Sequence, residues 1–217
     1  MIYKGAIFDL DGVIVDTARF HYLAWKELAD ELGFEFTPAD NERLKGVSRM
    51  RSLEILLEIG GVKRGGEERA ALAKRKNTRY VEMLDTLTQA DILPGAADFL
   101  HTLHTAGIKT ALGSASKNAP YILQKLALTD AFDAIVDGNR TSKAKPDPEV
   151  FLLGIQALDL SANECVVFED APAGVEAGKA AGMFCVGIGE REHLNEADVV
   201  VPDLRNWVQL MYLFHQI

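Results

Sequence analysis

Short apolar segments with the character of β-strands recur along the chain, and helical patterns separate most of them. The strand-like segments are residues 3–10, 108–113, 134–136, 166–168, 184–188 and 199–201. The helical patterns after the first hundred residues cover 98–106, 118–126, 149–158 and 173–181. Strands that alternate with helices are typical of a parallel sheet covered on both faces. We therefore predict an α/β core built on a doubly wound, Rossmann-like parallel sheet.

One long interval interrupts this alternation, because residues 17–88 carry only helical signals. The first predicted helix ends at Gly33, and Thr37 followed by Pro38 has the pattern of a helix N-cap and first turn. Two further helices are predicted over 50–58 and 67–87. The sequence thus predicts an all-helical cap domain at 17–88, inserted into a core domain formed by residues 1–16 and 89–217.

Composition and charge exclude several classes of partner. The 217 residues are 48% hydrophobic and 25% charged, which is ordinary for a globular protein with a buried core. The 23 basic against 32 acidic residues give a net charge of −9, which repels nucleic acid and anionic lipid. Acidic residues appear by Asp9, and no apolar run reaches membrane-spanning length, so we expect a cytoplasmic protein, and a monomer. Cys165 and Cys185 lie in apolar runs, which predicts buried, inert thiols.

Paired carboxylates follow the first predicted strand at once. Asp9 and Asp11 lie two residues apart, and Gly12 allows the chain to turn sharply after them. Ligands of open parallel sheets bind at the carboxyl ends of the strands. Two close carboxylates repel unless a cation intervenes, and Mg²⁺ prefers oxygen ligands and commonly accompanies phosphate. On this segment alone, an acidic strand end with a glycine turn remains an alternative.

Three distant segments carry complementary groups. Residues 114–118 follow the second predicted strand and offer hydroxyls, a lysine and small residues that let backbone amides approach an anion. Lys145 precedes a proline that can fix its approach to a phosphate. Glu169 and Asp170 form a second acidic pair at the end of a predicted strand. Each segment alone is compatible with an ordinary loop or turn, but together they predict a phosphate site that holds a metal ion.

The combination of Asp-x-Asp, a serine, a lysine before proline and Glu-Asp resembles the signature of the haloacid dehalogenase superfamily over the whole chain. The resemblance implies that Asp9 accepts the phosphoryl group and that Asp11 is the general acid and base. Such an acid needs a pKa above the ordinary value of about 3.9. The groups implied for the transferring phosphoryl group are Ser114, Ala115 and Lys145. The implied Mg²⁺ ligands are the Asp9 side chain, the Asp11 backbone carbonyl, Glu169 and Asp170.

The cap segments are more specifically similar to the β-phosphoglucomutase family, at residues 16–25, 44–49, 52–53, 73–77 and 114–118. That resemblance implies a Mg²⁺-dependent phosphomutase that interconverts β-glucose 1-phosphate and glucose 6-phosphate through an aspartyl-phosphate. It also implies a sugar phosphate substrate and a glucose 1,6-bisphosphate intermediate that serves as activator. The implied substrate-binding residues are Thr17, His21, Trp25, Lys45, Gly46, Val47, Ser48, Arg49, Ser52, Lys76, Ser116, Lys117 and Asn118.

The resemblance implies two different roles for residues of that substrate-binding set. Thr17, His21 and Trp25 are spaced to share one helix face, and the family role implied for His21 and Lys76 is to position the general acid. Without the resemblance, His21 would be interpreted as a surface imidazole and Lys76 as part of a solvated basic stretch. The resemblance assigns Arg49, together with Ser116, Lys117 and Asn118, to the phosphate that is not transferred.

Two other functions remain open from the sequence. A sugar-phosphate phosphatase would share the fold and the nucleophile and differ only in using water as the acceptor. The segment 45–49 and the pair His21 and Lys76 favour the mutase. A phosphoacceptor receiver module of signalling pathways also uses an aspartyl-phosphate, Mg²⁺ and a lysine on a parallel sheet. A receiver would carry no large helical insert, so the predicted cap disfavours it.

Overall fold

The sheet has six strands and is parallel throughout. The computed structural model describes residues 3–214. The strands are β1 (Gly5–Phe8), β2 (Lys109–Gly113), β3 (Ala134–Val136), β4 (Cys165–Glu169), β5 (Phe184–Ile188) and β6 (Val199–Val201). Their order is β3-β2-β1-β4-β5-β6, and every neighbouring pair is parallel. Strands β2 and β3 lie on one side of β1, and β4, β5 and β6 lie on the other. The doubly wound α/β prediction is therefore confirmed, and the switch point lies at the carboxyl end of β1.

Within residues 3–214, four helices lie between β1 and residue 88, and five more belong to the sheet domain. The first four are α1 (Ala18–Leu32), α2 (Pro38–Glu42), α3 (Arg49–Ile59) and α4 (Gly66–Leu84). The others are α5 (Ala96–Thr105), α6 (Ala119–Lys125), α7 (Glu149–Leu158), α8 (Pro172–Ala180) and α9 (Trp207–Leu210). Residues 17–88 contain no strand, which confirms an inserted helical cap. The exact boundaries at 16/17 and 88/89 stay a prediction.

Both faces of the sheet are buried. Successive side chains of β1 point to opposite faces, so Phe8 packs on one side and Ile7 on the other. Helices α5 and α6 cover the first side, where Phe8 stacks on Phe168 with ring centroids 4.6 Å apart. Helices α7 and α8 cover the second side. This double cover explains the nearly continuous apolar character of the central strands.

The cap has a hydrophobic core of its own. It is formed by residues of α1, α3 and α4 and of the connecting segments, among them Trp25, Leu28, Phe36 and Leu53. Thr37 accepts a hydrogen bond from the Asp40 backbone amide with Pro38 in the first turn, which confirms the predicted N-cap. The start of α1 and the end of α4 instead pack into the core of the sheet domain. The ends of these two helices are therefore fixed beside the switch point of the sheet.

Some predicted bounds differ from the structure by a few residues. The first strand ends at Phe8 rather than Leu10, because the Asp9 amide makes a last bond to the Phe168 carbonyl, 3.0 Å away, and the chain then turns. Helix α4 ends at Leu84 rather than at 87.

Cys165 and Cys185 are buried free thiols as predicted, and burial raises the pKa of each to about 12. Within residues 3–214, none of the helices combines the length and apolar character that crossing a membrane requires.

Candidate active site

A cavity of about 500 Å³ lies between the carboxyl ends of the strands and the cap. Its volume is in the range of small-molecule sites. Most of the predicted site residues line it, namely Asp9, Asp11, His21, Trp25, Lys45, Gly46, Val47, Ser48, Arg49, Ser52, Lys76, Ala115, Ser116, Lys117, Asn118, Lys145 and Asp170. Thr17, Ser114 and Glu169 lie just behind this wall and contact residues in it. The structure therefore brings together segments that are far apart in sequence.

Lys145 lies at the centre of the acidic end of the cavity. Its side chain is fully buried, and Nζ lies 2.6 Å from Asp9 Oδ1, 2.5 Å from Glu169 Oε1 and 2.9 Å from the Gly113 carbonyl oxygen. Burial lowers the pKa of Lys145, but the charges of Asp9 and Glu169 outweigh burial and hold it above its ordinary value. Lys145 is therefore a permanent cation beside the carboxylate predicted to be the nucleophile.

Three carboxylates converge at this end of the cavity. One oxygen from each of Asp9, Glu169 and Asp170 lies within 4.8 Å of the others. Burial, with the charge of Asp9 added, raises the pKa of Glu169 to about 7 even though Lys145 opposes the shift. Burial and the charges of Glu169 and Asp9 hold the pKa of Asp170 well above its ordinary value. Lys145 and the more distant Lys45 do not neutralise three closely spaced carboxylates, and a set of hard oxygen ligands fits a divalent cation.

Two glycines leave room for these acidic side chains. Gly12 has φ 92°, and a Cβ atom there would lie 2.2 Å from Asp170 Oδ2. A Cβ atom on Gly174 would lie 1.9 Å from the carboxyl carbon of Glu169. Any larger residue would displace a carboxylate from the cluster. The turn after β1 and the first part of α8 are thus shaped around the acidic groups.

Asp11 is surrounded by hydrogen-bond donors from the cap side. Thr17 and Tyr80 both donate to Asp11 Oδ1, the latter over 3.3 Å, and His21 Nε2 lies 3.8 Å from the same oxygen. Burial raises the pKa of Asp11 to about 6, the charge of Asp9 adds to the shift, and the two hydroxyl donors work against it. A carboxyl group with such a pKa can both give and accept a proton near neutral pH.

Lys76 is one of the most deeply buried charged groups of the cap. It is 2% exposed, its Nζ lies 2.6 Å from His21 Nδ1, and it faces the rings of Trp25 and Tyr80 at 4.6 Å from each centroid. Burial lowers the pKa of Lys76 well below its ordinary value, and burial together with Lys76 lowers that of His21. The interpretation of Lys76 as part of a solvated stretch is therefore wrong. His21 stacks on Tyr80 with centroids 3.9 Å apart, so it is not a free surface imidazole either.

A second cationic region of the cavity contains Arg49 and the loop 115–118. Among the residues the structure describes, Arg49 makes no ion pair or hydrogen bond, and burial lowers its pKa. Asn118 donates from Nδ2 to Asn77 Oδ1 over 3.0 Å and so joins the core to the cap. A partly buried guanidinium without a partner is suited to bind an anion. That Arg49, Ser116, Lys117 and Asn118 hold a phosphate stays a prediction.

Lys45 lies between the acidic cluster and the region of Arg49. Its Nζ lies 3.0 Å from Glu42 and 3.8 Å from Asp170 Oδ2, which places it next to the acidic cluster. Gly46, with φ 71°, lets the cap loop approach the core, since a Cβ atom there would lie 2.9 Å from that of Ala171. The segment 45–49 therefore spans from the acidic cluster to the start of α3.

Asn77 and Tyr80 are among the residues of the site that sequence reasoning missed. Asn77 lines the cavity, and Tyr80 is fully buried against Asp11 and His21. Tyr80 follows Lys76 by four positions in α4, so the two residues share a helix face. That spacing was the available signal, because a residue placed one turn after a functional lysine projects towards the same site.

The chain is similar in sequence to several known proteins. A model of the haloacid dehalogenase-like hydrolase family matches residues 3–182. The chain is 48% identical to the β-phosphoglucomutase of Bacillus subtilis over 200 residues, which cover 91% of this chain and 88% of that protein. It is also 33% identical to a fructose-1-phosphate phosphatase of Escherichia coli over 187 residues, which cover 86% of this chain and 96% of the relative.

The fold has a solved counterpart. The crystal structure of a β-phosphoglucomutase from Clostridium difficile superposes with a TM-score of 0.90 at 41% sequence identity, covering 97% of each chain. The agreement extends over the sheet domain and the cap together. The cap is therefore part of the fold that this chain shares with that protein.

Proposed function

Because the chain belongs to the haloacid dehalogenase-like hydrolase family, we propose that it is a phosphomutase that interconverts β-glucose 1-phosphate and glucose 6-phosphate. The observation that supports this function is one cavity that contains two separate cationic groups, each suited to bind a phosphate. Lys145 lies beside the nucleophilic carboxylate Asp9, and the cap provides the guanidinium of Arg49, which has no ion pair among residues 3–214. A mutase needs both, because its bisphosphate intermediate must be held by one phosphate while the other reacts.

Phosphoryl transfer takes place at Asp9. Its carboxylate attacks the phosphorus atom, and the phosphoryl group is held by Lys145, the Ser114 hydroxyl and the backbone of Ala115. We assign the divalent cation as Mg²⁺, bound by the Asp9 side chain, the Asp11 carbonyl, Glu169 and Asp170. When bound, Mg²⁺ neutralises negative charge on the transferring phosphoryl oxygens. Asp9 is thus the residue that forms a covalent bond, and the other groups contribute positioning and charge.

Asp11 moves the proton in each half of the reaction. As a base it takes the proton of the sugar 6-hydroxyl, whose oxygen then attacks the aspartyl-phosphate and forms glucose 1,6-bisphosphate. The bisphosphate then presents its other end to Asp9. Asp11, now protonated, gives the proton to the departing O1 as the phosphoryl group on C1 passes to Asp9, and glucose 6-phosphate leaves with the phosphoryl group that Asp9 first donated. The residues that position Asp11 are His21, Lys76 and Thr17.

The cap favours the sugar over water as acceptor. Trp25, Ser52 and the loop 45–49 form the cap side of the cavity, and the bond between Asn118 and Asn77 holds the cap against the core. When the sugar phosphate fills this space, Arg49, Ser116, Lys117 and Asn118 bind its non-reacting phosphate and water is displaced.

We further propose that the enzyme is monomeric and cytoplasmic and that glucose 1,6-bisphosphate activates it. Sedimentation of the purified protein and cell fractionation test the first two points.

Isomerisation should outpace hydrolysis by a wide margin. With β-glucose 1-phosphate and Mg²⁺, phosphorus NMR should show glucose 6-phosphate forming after a lag, and a trace of glucose 1,6-bisphosphate should abolish the lag. Inorganic phosphate should appear far more slowly, because a bound sugar hydroxyl is held at high effective concentration. The alternative is a sugar-phosphate phosphatase, as in the relative from Escherichia coli. Phosphate release that keeps pace with substrate loss, with no effect of bisphosphate, would establish that alternative.

Arg49→Ala should weaken the use of sugar phosphates much more than the use of a small acyl phosphate. Acetyl phosphate has no second phosphate to bind, so only the sugar bisphosphate loses a contact. Removal of a desolvated charged partner costs about 2 to 5 kcal/mol in kcat/KM. Steady-state kinetics with both donors measures the difference.

Arg51→Ala is the matched control for that measurement. Arg51 lies two residues further along α3 and pairs with Glu54 and Glu58 at the surface. Its removal should leave both donors unaffected. Equal losses for both donors in Arg49→Ala would instead place Arg49 in the chemical step or in folding.

A further inference from the structure

We propose that Tyr80 is a positioning residue for the acid and base Asp11, acting through its hydroxyl, and that its ring supports the pair His21 and Lys76. The inference rests on the proposed function, because it gives Asp11 the role of proton carrier. It adds a residue of α4 to the groups that set the orientation of that carboxyl group. It also gives the cap a direct contact with the chemistry of the core.

The hydroxyl of Tyr80 has Asp11 as its acceptor. Tyr80 is fully buried, and its Oη lies 3.3 Å from Asp11 Oδ1. A phenol with an ordinary pKa of about 10 is protonated at neutral pH and therefore donates to the carboxylate. Thr17 donates to the same oxygen. Two donors on Oδ1 fix the rotation of the carboxyl group and leave Oδ2 for proton exchange with the sugar.

The ring of Tyr80 serves a second purpose. His21 stacks on it with centroids 3.9 Å apart and planes inclined by 26°, and Lys76 Nζ lies 4.6 Å from its centroid. Within residues 3–214, Lys76 forms no salt bridge, so its contacts are His21 and the faces of Trp25 and Tyr80. Aromatic faces stabilise a desolvated ammonium group. The ring thus keeps Lys76 next to His21, whose Nε2 faces Asp11.

A purely structural role would have different consequences. Tyr80 packs with Leu84 and Phe20 in the core cluster of the sheet domain, so its ring also contributes to stability. A buried phenol needs a partner for its hydroxyl, and most core tyrosines find a backbone carbonyl or water. Here the partner is the carboxyl group that exchanges protons with the substrate. Loss of the hydroxyl should therefore affect proton transfer and not only the free energy of unfolding.

Tyr80→Phe separates these roles, because it removes the hydroxyl and keeps the ring. Transfer between Asp9 and a sugar oxygen needs the proton of Asp11, so kcat for isomerisation should fall about 10- to 100-fold, the effect of one hydrogen bond to a charged group, while KM stays unchanged. Phosphorylation of Asp9 by acetyl phosphate should be nearly unaffected, because acetate leaves without protonation. Tyr22→Phe, which removes a hydroxyl from a tyrosine stacked on Phe36 in the cap, is the control and should match the unmodified enzyme with both donors.

A double-mutant cycle with Asp11→Asn gives the decisive result. If Tyr80 acts through Asp11, Tyr80→Phe should cause no further loss once Asp11 is replaced. Independent, multiplicative losses would overturn the inference, and so would a Tyr80→Phe enzyme that isomerises at the unmodified rate while only Tyr80→Leu is slow. Equal losses with sugar and acetyl phosphate would also overturn it, by reducing Tyr80 to a structural residue. Full activity of Asp11→Asn alone would contradict the proposed function instead, so the two failures are distinguishable.

Discussion

Replacement of Asp9 by asparagine should abolish phosphoryl transfer, with a loss of turnover on the order of 10⁴-fold or more. The amide cannot attack phosphorus, and the substitution removes the negative charge of a proposed metal ligand, the carboxylate that lies 2.6 Å from Lys145 Nζ. No phosphorylated protein should form when Asp9→Asn is incubated with acetyl phosphate and Mg²⁺. Intact-mass spectrometry on acid-quenched samples measures this directly, since an aspartyl-phosphate adds one phosphoryl group to the chain.

Asp16→Asn is the matched control for Asp9→Asn. Asp16 follows in the same segment, but its side chain is half-exposed, pairs with Arg19 and is not among the residues that line the cavity. Its replacement should leave phosphorylation and turnover unchanged. A phosphoprotein in Asp9→Asn, or turnover at the unmodified rate, would show that the acceptor is another residue.

Asp11→Asn should lower isomerisation by about 10² to 10⁴-fold, the usual contribution of a general acid or base. Asparagine cannot donate the proton that the departing sugar oxygen needs or accept one from the attacking hydroxyl. Metal binding should survive, because the proposed ligand is the Asp11 backbone carbonyl. Rapid-quench measurement of Asp9 phosphorylation, with acetyl phosphate and with glucose 1,6-bisphosphate as donors, separates the two effects.

Only the bisphosphate should be a poor donor for Asp11→Asn. Asp16→Asn again provides the comparison, with unchanged rates from both donors. If Asp11→Asn slowed phosphorylation by acetyl phosphate as much as by the bisphosphate, Asp11 would act in metal binding or folding and not as the proton carrier.

The core of the site could be predicted because topology places strand ends together. Asp9 follows β1, Glu169 ends β4, and these strands are neighbours in the sheet. The carboxyl ends of parallel strands meet at one edge, so acidic residues at such ends converge whatever their separation in sequence. The contact of Lys145 with both carboxylates had no such rule behind it, because Lys145 lies in a loop before α7. The family resemblance assigned Lys145 to the transferring phosphoryl group, and the structure shows its contacts with both carboxylates.

The cap residues could not be predicted from the sequence pattern alone. Lys76 lies in a stretch that contains Lys74 and Arg79, and this composition is typical of a solvated helix face. In the structure, Ala73, Lys76 and Tyr80 occupy the buried face of α4 because that face packs on α1. Which face of a helix is buried depends on the element it packs against. A prediction based on polarity alone therefore places a charged residue of the buried face in solvent, which is wrong for Lys76.

The fate of the phosphoryl group on Asp9 tests the central claim most directly. Asp9 is first phosphorylated by acetyl phosphate that carries a label in its phosphoryl group, the donor is removed, and the enzyme is mixed with β-glucose 1-phosphate. The label should pass to glucose 1,6-bisphosphate and then to glucose 6-phosphate within a single turnover. Very little label should reach inorganic phosphate, because the sugar hydroxyl occupies the place of water. Release of the label as inorganic phosphate at the same rate with and without the sugar would contradict the mutase account.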